Sequence, residues 1–161
     1  MRKAYIRPHH LIIQGLSILA MLISFIYAMV IALTVKGEVS THVNVVGEID
    51  GYGSPATILL LPSIMIVMLV VMLLVLHKTS PKSWNMPFRV SEERQIIVYS
   101  DMSLMMSLIC LESGIFTLIE TLTYINNIVS GFAIAMIYTA ALLITVLVIT
   151  IAAARHNKGL A

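Results

Sequence analysis

The sequence predicts an all-α, four-helix transmembrane bundle with a structured extracellular loop between helices 1 and 2, and three observations carry that prediction. Of 161 residues, 59% are hydrophobic and only 11% charged, whereas soluble domains carry about 25% charged residues. Apart from three acids in the third of four long runs, the charges are confined to short intervals. Between them lie four apolar runs, each long enough to cross about 30 Å of hydrocarbon as a helix. A formal net charge of +2 is accounted for by residues flanking those runs, which argues against a nucleic-acid surface.

Taken in order, the first run spans Leu11 to Val35. Arg2, Lys3 and Arg7 precede it in the manner of a signal peptide, but it is about twice as long as a signal core and no small-residue cleavage site follows. It is therefore read as the first span, closed by Lys36 and the helix breaker Gly37. A polar loop leads to the second span, Ala56 to Leu76, which opens after Pro55. Pro62 lies inside it and is expected to kink it. Residues His77 to Arg94 form a basic stretch with Pro81, Trp84 and Pro87, where Trp84 suits the headgroup level. The third span, Gln95 to Tyr124, is unusually polar. After an Asn126-Asn127 turn, the fourth runs from Val129 to Ala154, and Arg155, His156 and Lys158 follow it. The whole chain reads as one membrane domain.

Lys and Arg resist translocation, so their distribution sets orientation. Arg2, Lys3, Arg7, Lys78, Lys82, Arg89, Arg94, Arg155 and Lys158 fall on one side of the predicted topology and Lys36 on the other. Both termini and the middle loop are thus expected in the cytoplasm. Small residues recur at helical spacing, Ala20, Ser24, Ala28 and Ala32 in the first span and Gly131, Ala135 and Thr139 in the fourth. Such stripes let helix backbones approach closely, within one chain or between copies in a homo-oligomer. The methionines and Cys110 read as apolar filler.

The outer loop contains the most distinctive local pattern. His42, Glu48 and Asp50 carry donor types suited to a metal ion or a cationic ligand, although they lack regular ligand spacing. The glycines, Asp50 and Ser54 describe tight turns. Thr41-His42-x-Asn44-x-x-Gly47-x-x-Asp50-Gly51-Tyr52-Gly53-Ser54 resembles the signature of a bacterial domain of unknown function found in the amino-terminal part of SdpI-type immunity proteins. Ser40 and Pro55 replace a Pro and a Lys usual in that pattern. Asn85-Met86-Pro87-Phe88-Arg89-Val90-Ser91-Glu92-Glu93 resembles the segment preceding the third span in the same family. From the residues alone, Ser91 reads as an N-cap followed by acids, Glu92 and Glu93, favoured by the helix dipole. Asn85 and Pro87 are read as fixing the turn. The resemblance implies a bacterial cytoplasmic membrane protein that protects its producer from a secreted toxin peptide, with a cytoplasmic regulator as a second implied partner.

The third span holds the groups that are expensive in lipid: Asp101, Glu112 and Glu120. An ionised acid near mid-bilayer costs at least about 2.5 kcal/mol on insertion scales, so it is expected to face the bundle interior or water, or to be protonated. Asp101 and Glu112 are eleven residues apart in the sequence, which places them within roughly 20° on one helix face and about 16 Å apart. Glu120 is expected nearer the outer surface, within reach of the His42 loop. No nucleophile elbow, phosphate loop or paired metal-ligand helix motif is present, so no catalysis and no cofactor are expected; a bound cation fits the donor types. Two functions follow as expectations. One is binding and immunity through the outer loop and the acidic track. The other is a transport or sensor subunit that uses Glu112 as a proton or cation site and the inner loop to contact a soluble partner.

Overall fold

The computed structural model describes residues 3–44, 46, 48–124 and 131–160. Four long helices, α1 (Pro8–Thr34), α2 (Leu60–Lys78), α3 (Gln95–Thr123) and α4 (Gly131–Asn157), carry a small hairpin of β1 (Val39–Val43) and β2 (Ile49–Gly53) between α1 and α2. With the 3-10 turns that lead into α2 and α3, the segments Pro8–Thr34, Pro55–Lys78, Glu92–Thr123 and Gly131–Asn157 are all long and apolar enough to cross a membrane. The protein is a multi-pass, all-α membrane bundle.

The helix ends follow local chemistry. α1 starts at Pro8, earlier than Leu11, because proline at the first helical position gives up an N–H that would be unpaired there anyway. The helix ends where Val35 turns extended while its N–H still donates to the Ile31 carbonyl, and Gly37 beyond it adopts the left-handed φ of +92°. Ser54 caps the 3-10 turn Pro55–Leu59 by accepting from the Ala56 N–H. The expected kink at Pro62 is corrected by this turn. α2 begins at Leu60, so Pro62 falls in its first turn, where a missing donor breaks no intrahelical bond. The Asn126-Asn127 turn and the predicted fourth-span start at Val129 lie outside the described residues.

α3 is the central helix, packing on α1, α2 and α4. Its face toward α1 is made of small and hydroxylated residues: Ser103, Ser107, Gly114, Thr117 and Thr121 are buried there. The opposing α1 face buries His10, Gln14, Ser17, Ala20, Ser24 and Ala28, which includes most of the small-residue stripe read from the sequence. A Cβ on Gly114 would sit 3.1 Å from the Ser17 carbonyl oxygen and 3.3 Å from the Ala20 Cβ, so the closest approach of the two backbones depends on this glycine. The α4 stripe is used only at one end: Gly131 lies against Glu120, while Thr139 is exposed. Large apolar side chains instead cover the outside, among them Leu33, Ile137 and Leu143. A polar interior under an apolar exterior is the arrangement expected when lipid is the solvent.

At the end of the bundle that carries both termini, residues 79–94 form a strap across the helices. Trp84, Met86, Phe88 and Val90 turn inward onto Val98, Met102 and Ala153. Trp84 also meets Tyr5 and Tyr99 edge to face at 5.6 and 6.1 Å, and its indole N–H donates to Thr79 at 2.9 Å. Asn157 ties the strap to α4, accepting from the Ser91 N–H and donating to the Arg89 carbonyl. Ser91 does occupy an N-cap position, but its side chain makes no capping bond, which corrects the sequence reading. Glu92 and Glu93 form the 3-10 turn before α3, and Asn85 and Pro87 lie on the strap between inward-facing neighbours.

Gly114→Val should force α1 and α3 apart, because an isopropyl group has no space beside Ser17 and Ala20. An unfolding series in detergent should show a loss of about 1–3 kcal/mol, whereas Gly15→Val, where an added Cβ meets nothing within 4 Å, should be close to neutral.

Candidate functional site

Asp101, Glu112 and Glu120 share one face of α3, and that face meets α4. The contacts run in antiparallel register along the two helices. Asp101 Oδ2 lies 2.7 Å from His156 Nδ1 near the terminal end. Midway, Glu112 Oε1 accepts a hydrogen bond from the Thr145 hydroxyl. Toward the hairpin end, the Glu120 carboxylate packs on Gly131, where a Cβ would sit 3.4 Å from Oε2. Asp101 and Glu112, which helical periodicity places on one track, both meet α4, and Glu120 meets it at a third point.

Glu112 is the exception among them. Its second oxygen, Oε2, is buried and has no hydrogen-bond partner among the described residues. An ionised carboxylate leaves an unpaired acceptor there, and a protonated one leaves either an unpaired donor or an unpaired acceptor. The neutral state costs about 1–3 kcal/mol relative to a paired group, and the ionised state more. Beside it, Glu112, Ile115, Phe116, Ile134, Tyr138 and Ala141 help line a cavity of about 150 Å³. Phe116 and Tyr138 stack at 4.3 Å between centroids, and the Tyr138 hydroxyl is held 2.8 Å from Ser113 Oγ. The cavity is apolar apart from Glu112 and Tyr138, and exposed side chains such as Ile137 rim it. Such a site has room for a group the size of one small ring, with a carboxyl that has one hydrogen-bonding position unused.

The hairpin forms the second part of the site. The β1–β2 register pairs Val39 with Gly53, Ser40 with Tyr52, His42 with Gly51 and Val43 with Ile49, and slips twice between them. The slips bring the His42 imidazole onto Asp50, since an irregular register re-aims side chains. Here the expected glycine turns are corrected. Gly51 and Gly53 lie within β2, where a Cβ would approach His42 Cβ and Thr41 Cγ2 to 2.9 Å, so their role is close strand approach. Asn44 builds the turn instead, its side-chain oxygen accepting from the Val46 and Glu48 N–H groups at 3.0 and 2.9 Å. Gly47 lies outside the described residues.

Glu48 does not converge with His42 and Asp50; Asn44 Nδ2 donates to its carboxylate at 3.2 Å. Among the described residues, no group of three His, Cys, Asp or Glu side chains is placed to hold a metal ion. Glu120 lies against Gly131, and His42 against Asp50. Ser54 serves the helix start, and Tyr52 is exposed on the outer face with Asp50 and Glu48.

Sequence reasoning passed over a buried network joining α1, α2 and α3. Ser107 Oγ donates to the Ser103 carbonyl, so it must accept from Gln14 Nε2 at 2.9 Å. That fixes the amide orientation and turns Gln14 Oε1 to His77 Nε2 at 2.8 Å, which makes this nitrogen the protonated donor. His10 Nδ1 accepts from the Arg7 N–H, so the Ser103 hydroxyl, 3.1 Å away, donates to the same atom. In this arrangement His10 is neutral with its proton on Nε2. The signal was present in the sequence, since His10, Gln14, Ser17, Ala20, Ser24 and Ala28 recur every three or four residues through an otherwise apolar run.

Compared with protein-family models, curated proteins and solved structures, the chain matches none of them.

Replacing Glu112 by Met removes an unpaired buried oxygen in exchange for apolar volume, so its midpoint of thermal unfolding in detergent should be equal to or above that of the parent chain. Thr145→Val, which orphans the other oxygen as well, should lower stability by about 1–3 kcal/mol.

Proposed function

We propose that this protein is a membrane-embedded binding and immunity module, which protects a bacterial cytoplasmic membrane from a secreted, cationic amphipathic peptide. The observation that carries this reading is the outward face of the hairpin. Asp50, Tyr52 and Glu48 are exposed there together, offering two carboxylates and an aromatic ring to an approaching basic, amphipathic partner. Glu38 adds a third acid against the single Lys36 in this loop, whereas the other nine basic residues belong to the predicted opposite side. In this reading both termini face the cytoplasm and the hairpin faces outward, as the basic-residue asymmetry favours. A cationic peptide is drawn to the acidic end by charge and held by Tyr52, whose ring suits an interfacial contact. The His42–Asp50 pair keeps the hairpin in register, so His42 acts as a positioning residue.

A second reading is favoured by one observation, the unpaired Glu112 oxygen. In it the protein is a transport or sensor subunit in which this carboxyl takes up a proton or cation near mid-bilayer.

The two readings separate experimentally. Cells expressing the protein should survive a cationic amphipathic peptide that kills cells lacking it. Asp50→Ala, His42→Ala and Tyr52→Ala should each reduce that survival by at least tenfold at equal membrane abundance. Unimpaired survival in all three variants would remove the hairpin from the mechanism. For the second reading, vesicles containing the purified protein should carry a proton flux, measured with an entrapped pH dye, that Glu112→Gln reduces; flux no greater than in empty vesicles rejects it.

A further inference from the structure

We propose that the terminal end of α4 carries a binding site for one anionic phospholipid, with Arg155 and His156 holding the phosphate and the preceding turn of the helix receiving an acyl chain. The site is an open depression of about 360 Å³ along one side of α4, lined by Val148, Ile151, Ala152, Arg155 and His156. Its chemistry changes along the helix in the order a phospholipid requires. Val148 and Ile151 are more than half exposed on the apolar side, and one turn further on a guanidinium and an imidazole bound the depression. The apolar run ends at Ala154, so the two basic groups stand where hydrocarbon gives way to headgroups. Basic pockets at this depth are known to select anionic lipids.

Asp101 supplies the feature that distinguishes this place from a solvated basic helix end. Its carboxylate engages His156 Nδ1 at 2.7 Å, with the two side chains only 18% and 33% exposed. The Asp101 contact takes Nδ1, so Nε2 is the nitrogen left for a ligand, donating to a phosphate when the ring carries both protons, and Asp101 becomes a positioning residue. Arg155 is exposed, and its five N–H donors allow a phosphate to be bound beside any partner within the chain. This site is about ten residues, or roughly 15 Å along α4, from Thr145 and the Glu112 cavity, so it stands whether or not the immunity reading does.

Native mass spectrometry of the full chain, released from micelles containing equal amounts of dioleoylphosphatidylglycerol and dioleoylphosphatidylcholine, tests the proposal. The parent protein should retain one phosphatidylglycerol in preference to phosphatidylcholine. Arg155→Gln should weaken that preference about fivefold, the factor expected from one basic group near a charged headgroup. Arg155→Lys should keep most of it. Asp101→Asn, which leaves both basic residues in place, should also lower the preference by releasing the imidazole, while retention of phosphatidylcholine stays unchanged. Lys82→Gln removes a charge from the same end outside the depression and should have no effect. Equal retention of both lipids by the parent chain overturns the site. So does an Arg155→Gln effect no larger than that of Lys82→Gln, because the attraction is then diffuse charge. Unfolding midpoints measured alongside show whether each variant is folded, and a misfolded Asp101→Asn leaves the Arg155 pair of variants to decide.

Discussion

A polar group in hydrocarbon has no water to turn to, and every interior contact of this bundle is arranged around that constraint. The hydroxyls of Ser17, Ser24, Ser107, Thr117 and Thr121 each donate to a carbonyl three or four residues earlier in their own helix. Their hydrogens are thus used before any helix meets another. What remains is a seam of small, internally satisfied side chains along α1 and α3, close enough at Gly114 for backbone to touch backbone. Longer polar groups follow the same logic by another route. Gln14 cannot bond to its own helix at both ends of its amide, so it spans three helices, to Ser107 on α3 and His77 on α2. Interhelical bonds of this kind contribute only about 0.6 kcal/mol each on average in membranes, so the network fixes the relative positions of the helices more than it stabilises them.

α3 consequently has two faces of opposite character. Toward α1 its polar groups are paired. Toward α4 it presents three acids, which are far more expensive to leave in lipid than hydroxyls, and α4 answers them unequally. His156 meets Asp101 and Thr145 meets one oxygen of Glu112, while the other oxygen stays unpaired beside an apolar cavity. Native proteins rarely leave a buried polar atom without a partner, and those that do so tend to place it where something binds. The cost at Glu112 is affordable only because the surrounding contacts are satisfied. The buried Tyr5 hydroxyl is also without a partner among the described residues, and nothing in the structure explains it.

The hairpin shows how local chemistry and long-range pairing divide the work. Asn44 builds its turn from bonds within five residues, and Ser54 starts the next helix from two positions away. The contact between His42 and Asp50 depends on a register that slips twice, and on glycines whose missing side chains let the strands approach. Composition indicated an ordered loop there. It did not indicate strands, because turn-forming residues dominate the stretch and the expected use of glycine is left-handed backbone, whereas Gly51 and Gly53 are needed for space.

The sequence by itself determined the number of spans, their approximate limits, the small-residue face of α1 and the common face of Asp101 and Glu112. Each follows from periodicity and from the length of helix that hydrocarbon demands, which are properties of a single segment. Only the tertiary structure decided which helix each face meets. It turned the acids toward α4, joined His10 and Gln14 to the serines of α3 and His77 to Gln14, moved the start of α2 so that Pro62 lies in its first turn, and placed Asn157 on the strap. Those outcomes depend on how helices rotate against one another, and rotation is set by the fit of several surfaces at once, which no single span encodes.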